Sequence, residues 1–70
     1  MPDMMHVDSS NLEQIGYDLD QMELHVIFKD GSHYIYEGVP ESLFEELTMA
    51  PSKGSFLNRE VKGAYQHTKQ

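Results

Sequence analysis

A short segment of this 70-residue chain carries residue types suited to binding an anion. Ser52, Lys53, Gly54 and Ser55 follow Pro51 directly. Hydroxyls and unpaired backbone N–H groups at the start of a helix attract phosphate or carboxylate, and a glycine such as Gly54 permits close approach to the backbone. The alternative is structural: Ser52 caps the helix and Gly54 serves packing against the sheet.

Three more polar residues follow this segment within one or two helical turns. Asn58 and Lys62 are four residues apart and therefore share one face of a helix, with Arg59 beside them. Such a face can continue contacts along a nucleic-acid backbone. In the alternative interpretation the face is simply solvated and Asn58 bonds a nearby loop.

The distribution of charge favours a local site over a general polyanion surface. The formal net charge is −7, with eleven acidic residues and one basic residue in 1–52, but four basic residues and one acidic residue in 53–70. An acidic surface repels phosphates, so general polyanion binding is not expected. The basic C-terminal end remains either a local anion site or a solvated helix face.

Other chemistry finds little support in the sequence. His25 and His33 would lie diagonally on one strand face without a placed third ligand, which makes a poor zinc site. The carboxylates on 41–46 are typical of a solvated helix face, and no serine has a base and an orienting group. We therefore expect no metal, no cofactor and no enzymatic activity.

Length and composition predict one small domain. There is no cysteine, hence no disulfide, and no apolar run approaches the roughly 18 residues of a membrane span. We expect a cytoplasmic, bacterial-type monomer that does not associate with membranes. The predicted domain covers residues 7–65, with flexible tails at 1–6 and 66–70.

The fold class expected is α+β: a three-stranded antiparallel meander followed by two helices packed on one face of the sheet. The predicted strands are 11–17, with Leu12 on the face opposite Ile15 and Tyr17, then 22–29 and 32–37. The first helix begins at Pro40 and ends before Pro51. The second is capped by Ser52, ends near Gly63, and buries Phe56, Leu57 and Val61.

The turn between the second and third strands decides which side chains share a face. A two-residue Asp30-Gly31 loop would place Tyr34 and Tyr36 on the face of His25. A three-residue loop, Lys29-Asp30-Gly31 with Gly31 left-handed, pairs Val26 with Tyr34 and Leu24 with Tyr36. We prefer the second register because it gathers the apolar residues on one face.

The Tyr34-Ile35-Tyr36 step allows two interpretations. On an open sheet, such rings stack exposed bases at roughly 1–3 kcal/mol per base. A domain of this size has few large side chains, however, so we expect both tyrosines in the core with only their hydroxyls exposed.

In order along residues 7–65, these motifs resemble the KTSC domain family: Ser9-Ser10-Asn11, Ile15-Gly16-Tyr17-Asp18, the Leu24–Phe28 strand, Gly31, Tyr34-Ile35-Tyr36, Val39-Pro40, Ser52-Lys53-Gly54, and Phe56, Asn58 and Tyr65. The family is named after a module at the C-terminus of some lysyl-tRNA synthetases and includes small free-standing bacterial proteins. Its function is not established, and the synthetase association suggests RNA binding. The resemblance therefore suggests a binding module for RNA, and the residues themselves extend this to RNA or another anion, with Ser52, Lys53, Gly54, Asn58, Arg59 and Lys62 as the candidate site. The alternative is a protein-interaction module that uses the acidic surface and the open sheet face around Ile27 and Ile35.

Overall fold

The computed structural model describes residues 2–70, which form one five-stranded sheet and a short helical layer. All neighbouring strands are antiparallel, and their order in the sheet is their order in the sequence. The strands are β1 (Met4–His6), β2 (Leu12–Asp18), β3 (Glu23–Phe28), β4 (His33–Glu37) and β5 (His67–Lys69). The helices are α1 (Glu41–Met49) and α2 (Lys53–Phe56), and a π-helical turn (Leu57–Val61) follows α2 directly.

The α+β class is confirmed, but the predicted number of strands was too small. β1 pairs with β2, and β5 returns after the helices to pair with β4. Both added strands have three residues and are largely exposed, so they lack the apolar alternation by which the sequence reveals strands. They lie in the segments predicted as tails, and the flexibility of those segments stays a prediction.

The β3–β4 hairpin has the predicted register. Val26 lies opposite Tyr34 and Leu24 opposite Tyr36. The loop of three residues closes with a hydrogen bond from the Phe28 N–H to the Ser32 carbonyl at 2.8 Å, and Gly31 has φ +93°. A left-handed residue at this place is readily supplied only by glycine.

The predicted face of Leu12 was wrong. Leu12 pairs with Phe28 and is fully buried in the core together with Ile15. The β2–β3 register shifts between Leu12 and Gln14, so one extra residue is inserted there. A bulge of this kind changes the two-residue alternation and places residues three apart on the same face.

The core lies between the sheet and the helical layer. Ten apolar residues are almost fully buried in a single cluster, as expected when one face of the sheet is covered. From the strands the cluster takes Leu12, Ile15, Leu24, Val26 and Tyr36, and from the rest of the chain Val39, Leu47, Phe56, Leu57 and Val61.

Helix α1 begins one residue later than predicted, because Pro40 is its N-cap with φ −71° and ψ 150°. Pro51 follows Ala50, which is extended and ends the helix as predicted. Ser52 caps α2: its hydroxyl accepts a hydrogen bond from the Ser55 N–H. This arrangement satisfies one of the backbone donors that every helix start leaves free.

The second helix is not one continuous α-helix. In the π-helical turn the Lys62 N–H donates to the Leu57 carbonyl at 2.9 Å, and Lys62 itself is extended. Asn58 lies in this π-helical turn and Lys62 is its C-cap, so the α-helical spacing on which their shared face was predicted does not apply to them. Among residues 2–70, the helices are too short and too polar to cross a membrane.

Candidate functional site: an aromatic-basic groove

A groove of about 450 Å³ opens where the β3–β4 loop meets the end of the helical layer. We call it the aromatic-basic groove. Its lining residues are Ser10, Asn11, Phe28, Lys29, Asp30, Ser32, Tyr34 and Lys62.

Two aromatic rings form one wall of the groove. Phe28 and Tyr34 meet edge to face, with ring centres 5.4 Å apart. Both are half-buried and pack against the buried core. Tyr34 and Tyr36 therefore differ in their surroundings. Tyr36 is 1% exposed and belongs to the core, whereas Tyr34 lines the groove.

Two ammonium groups lie over these rings. Lys62 Nζ is 5.1 Å from the centre of the Phe28 ring, and Lys69 Nζ is 5.9 Å from the centre of the Tyr34 ring. Each contact falls within the range of a cation–π interaction, which holds a lysine close to apolar surface without neutralising its charge. The charges therefore remain available to a negatively charged ligand.

The loop residues complete the groove and are themselves ordered. Both the backbone N–H and the hydroxyl of Ser32 donate to Asp30 Oδ1, at 2.9 and 2.6 Å. These hydrogen bonds lower the pKa of Asp30, so its carboxylate stays charged beside Lys29. Asp30 is the one acidic residue that lines the groove, and its Oδ1 atom already accepts both hydrogen bonds from Ser32.

Asn11 lines the groove and also contacts the start of α2. Its carbonyl accepts from the Lys29 N–H at 2.9 Å, and its side-chain oxygen accepts from the Ser9 hydroxyl at 3.2 Å. A Cβ on Gly54 would lie only 2.6 Å from that same oxygen. Gly54 therefore lets the start of α2 pack closely against the Ser9–Asn11 segment, a packing role that the sequence left open.

The other residues of the predicted anion site lie outside the groove. The Ser52 hydroxyl is engaged in the cap, and Lys53 Nζ donates to the Ala50 carbonyl at 3.1 Å. Arg59 pairs with Glu60 at 3.0 Å, and its guanidinium lies 5.7 Å from the Phe56 ring centre. Asn58 is exposed on the π-helical turn. Of the six predicted site residues, only Lys62 lines the groove.

The opposite face of the sheet carries the two strand histidines. His25 Nδ1 and His33 Nε2 are 3.1 Å apart, within hydrogen-bonding distance. Burial lowers the pKa of His25, His33 lowers it further, and Glu23 opposes the shift. Within residues 2–70, no three His, Cys, Asp or Glu side chains are grouped closely enough to hold a metal ion.

Sequence reasoning missed Phe28, Lys29 and Lys69 as site residues. The sequence predicted Phe28 as a core residue and placed Lys69 in a flexible tail. The spacing of His67 and Lys69 could have indicated their position, since residues two apart on a strand share a face. It places both beside the tyrosines: the His67 ring lies 5.4 Å from Tyr34 and 5.5 Å from Tyr36.

Comparison with known proteins identifies the domain. The family model of the KTSC domain matches residues 8–65, which is most of the chain. The chain belongs to the KTSC domain family. The crystal structure of a KTSC domain protein from Yersinia pestis is 35% identical in sequence and superimposes with a TM-score of 0.93, covering 100% of this chain and 99% of that one.

Relatives of two different lengths are similar to this chain in sequence. A protein of Tsukamurella paurometabola is 38% identical over 63 residues, which are 90% of this chain and 94% of that protein. A lysine–tRNA ligase of Nostoc punctiforme is 35% identical over 63 residues, but the match spans only 11% of the ligase. The KTSC domain thus resembles both a small protein of similar length and a segment of a much longer enzyme.

Proposed function

We propose that this KTSC domain is a non-enzymatic binding module whose aromatic-basic groove takes single-stranded RNA. The observation that carries the proposal is the placement of Lys62 and Lys69 over the rings of Phe28 and Tyr34. Aromatic rings beside lysines are the combination that single-strand binders use, because rings stack bases while ammonium groups attract phosphates.

The groove accommodates both parts of a nucleotide. A base that packs against Phe28 or Tyr34 displaces the covering ammonium group sideways. The displaced lysine, on a flexible four-carbon stem, then reaches the phosphate of the same nucleotide. Ser10 and Asn11, which also line the groove, carry the donors and acceptors needed to bond a base edge or a 2′-hydroxyl.

The size of the groove and the charge of the chain set the expected strength. A groove of about 450 Å³ holds one or two nucleotides rather than a duplex. Lys29 and Lys62 line the groove and Lys69 lies over its Tyr34 ring, so three lysines offer charge there, against a net charge of −7 for the whole chain. We therefore expect weak binding of unstructured RNA and no binding of double-stranded RNA.

One relative supports the proposal that the domain binds RNA. The lysine–tRNA ligase that contains a similar segment has a tRNA substrate by its name. A small RNA-binding module attached to such an enzyme would raise the local concentration of its substrate.

An amide-shift titration of labelled protein with a ten-nucleotide single-stranded RNA tests this function. We expect the largest shifts at Asn11, Phe28, Tyr34 and Lys62, with a hairpin of the same composition causing smaller ones. Shifts confined to Ser52–Ser55 would move the site to the start of α2. No shifts at millimolar RNA would contradict the proposed function.

A further inference from the structure

The face of the sheet away from the helices carries a row of three acidic residues. Asp18 lies directly opposite Glu23 in the β2–β3 pair, and Glu23 lies directly opposite Glu37 in the β3–β4 pair. We call these three the acidic row. Like charges directly opposite each other on neighbouring strands oppose strand pairing.

No basic residue offsets the acidic row in the folded domain. Among residues 2–70, the ion pair formed by a lysine or arginine is Arg59–Glu60, while Glu13 and Glu23 lie 3.4 and 3.6 Å from the histidines His6 and His25. Asp18 and Glu23 are half-buried, and Glu37 is exposed. Their charges are therefore concentrated on one face without internal compensation.

A buried histidine beside the row has one ring nitrogen without a hydrogen bond. His25 is 5% exposed, and its Nε2 atom is buried without a hydrogen bond. The nearest carboxylate oxygen, Oε1 of Glu23, lies 3.6 Å away, longer than a hydrogen bond. Buried polar atoms are nearly always bonded, so this nitrogen leaves room beside Glu23 for one further polar group.

The surface next to the row is apolar. Ile35 lies opposite His25, and Ile27 lies opposite His33, so both isoleucines share this face and are half-buried. An open sheet face with an acidic edge and an apolar centre matches a segment that carries basic and apolar side chains.

We propose that this open sheet face docks a basic segment of a partner protein, with two or three lysine or arginine side chains on the acidic row. Successive strands are about 4.8 Å apart, so the row is about 10 Å long and spans two or three such side chains. The site lies on the face opposite the core and repels RNA, so it is separate from the aromatic-basic groove.

A peptide titration tests this site independently of RNA. The probe is a twelve-residue peptide of alternating lysine and alanine, and the mirror peptide replaces each lysine with glutamate. We expect the lysine peptide to shift the amides of Asp18, Glu23, Ile35 and Glu37, and the glutamate peptide to shift none of them. Shifts absent, or spread evenly over all acidic residues, would overturn the proposal.

Matched variants separate a site from a general charge effect. The Glu23→Gln, Glu37→Gln double variant removes two charges from the row, whereas Glu45→Gln, Glu46→Gln removes two from the exposed side of α1. We expect about a fivefold rise in Kd for the first pair and less than about twofold for the second, since exposed ion pairs contribute about 0.2–1 kcal/mol each. Equal weakening by both would show attraction to net charge alone and contradict the docking site.

Discussion

The ammonium nitrogen of Lys62 lies 5.1 Å from the centre of the Phe28 ring, which joins the end of the π-helical turn to the end of β3. The contact depends on where the helix ends. Lys62 is the C-cap of the π-helical turn, with φ −64° and ψ 128°, so the helix ends at the residue whose ammonium group lies over the Phe28 ring. The groove is thus formed by local backbone geometry as much as by residue type.

Replacing Lys62 with glutamine should weaken RNA binding without unfolding the domain. An exposed cation–π contact contributes about 0.5–1 kcal/mol, so the loss of thermodynamic stability should be within that range. The loss of one phosphate contact should raise the Kd for a ten-nucleotide RNA about three- to tenfold at low salt. Fluorescence anisotropy gives the Kd, and urea unfolding gives the stability. An unchanged Kd would remove Lys62 from the site.

Gly54→Ala should destabilise the domain, although alanine is the better helix former. Alanine gains about 1 kcal/mol over glycine in a helix interior. Its Cβ would lie 2.6 Å from Asn11 Oδ1, and relieving such a contact typically costs about 1–3 kcal/mol. We expect a net loss of about 1 kcal/mol by urea unfolding.

The Asn11→Gly background is the control for that substitution. With the Asn11 side chain removed, the contact is absent, and Gly54→Ala should become neutral or stabilising. If Gly54→Ala destabilises equally in both backgrounds, the close approach to Asn11 is not the reason for the glycine.

Gly16→Ala should detach β1 from the sheet. A Cβ at this position would lie 2.8 Å from the Asp3 carbonyl oxygen and would also overlap the Met4 sulfur atom. The backbone of Asp3 cannot move away without loosening the Met4–Gly16 pairing. Amide hydrogen exchange should accelerate at least about tenfold in β1 while β3 and β4 stay protected. Protection of β1 unchanged from the wild type would contradict this packing.

Stability should fall as the pH drops below neutral because of His25. Burial lowers the pKa of this side chain in the folded state, so the unfolded chain binds more protons in the window below its ordinary value of about 6.5. The contribution is complete above that value and is lost as the pH falls toward the lowered folded pKa. Urea unfolding between pH 5 and pH 8 should show this slope.

His25→Gln is the variant that isolates the effect. It should flatten the slope between pH 5 and pH 7. A slope that survives His25→Gln would assign the pH dependence to other groups.

Much of the fold follows from local rules in the sequence. The turn residues Lys29-Asp30-Gly31 determine the hairpin register, and Pro51 with Ser52 determine the boundary between the helices. Leu12 was misplaced because a bulge in β2 depends on pairing with β3, which a single strand's alternation does not contain. The short edge strands β1 and β5 are stabilised by pairing with longer neighbours rather than by their own composition.

The candidate site was less predictable for a related reason. Lys62 could be proposed from its charge and position, but the groove it lines depends on residues from three distant parts of the chain. Phe28 and Tyr34 pack partly buried against the core and also line the groove, and Lys69 lies over the Tyr34 ring through the pairing of β5 with β4. Such a site is a product of tertiary packing, for which one sequence has no local signal.

The salt dependence of RNA binding tests the proposed groove most directly. For single strands, log K falls against log salt with a slope of about −0.7 per phosphate contact, so three lysines predict a slope of about −2. Lys62→Gln with Lys69→Gln should reduce the slope to about −0.7, while Lys53→Gln with Arg59→Gln, the same charge change outside the groove, should leave it near −2. A slope near zero for the wild type, or a slope reduced only by the second pair, would contradict binding in the aromatic-basic groove.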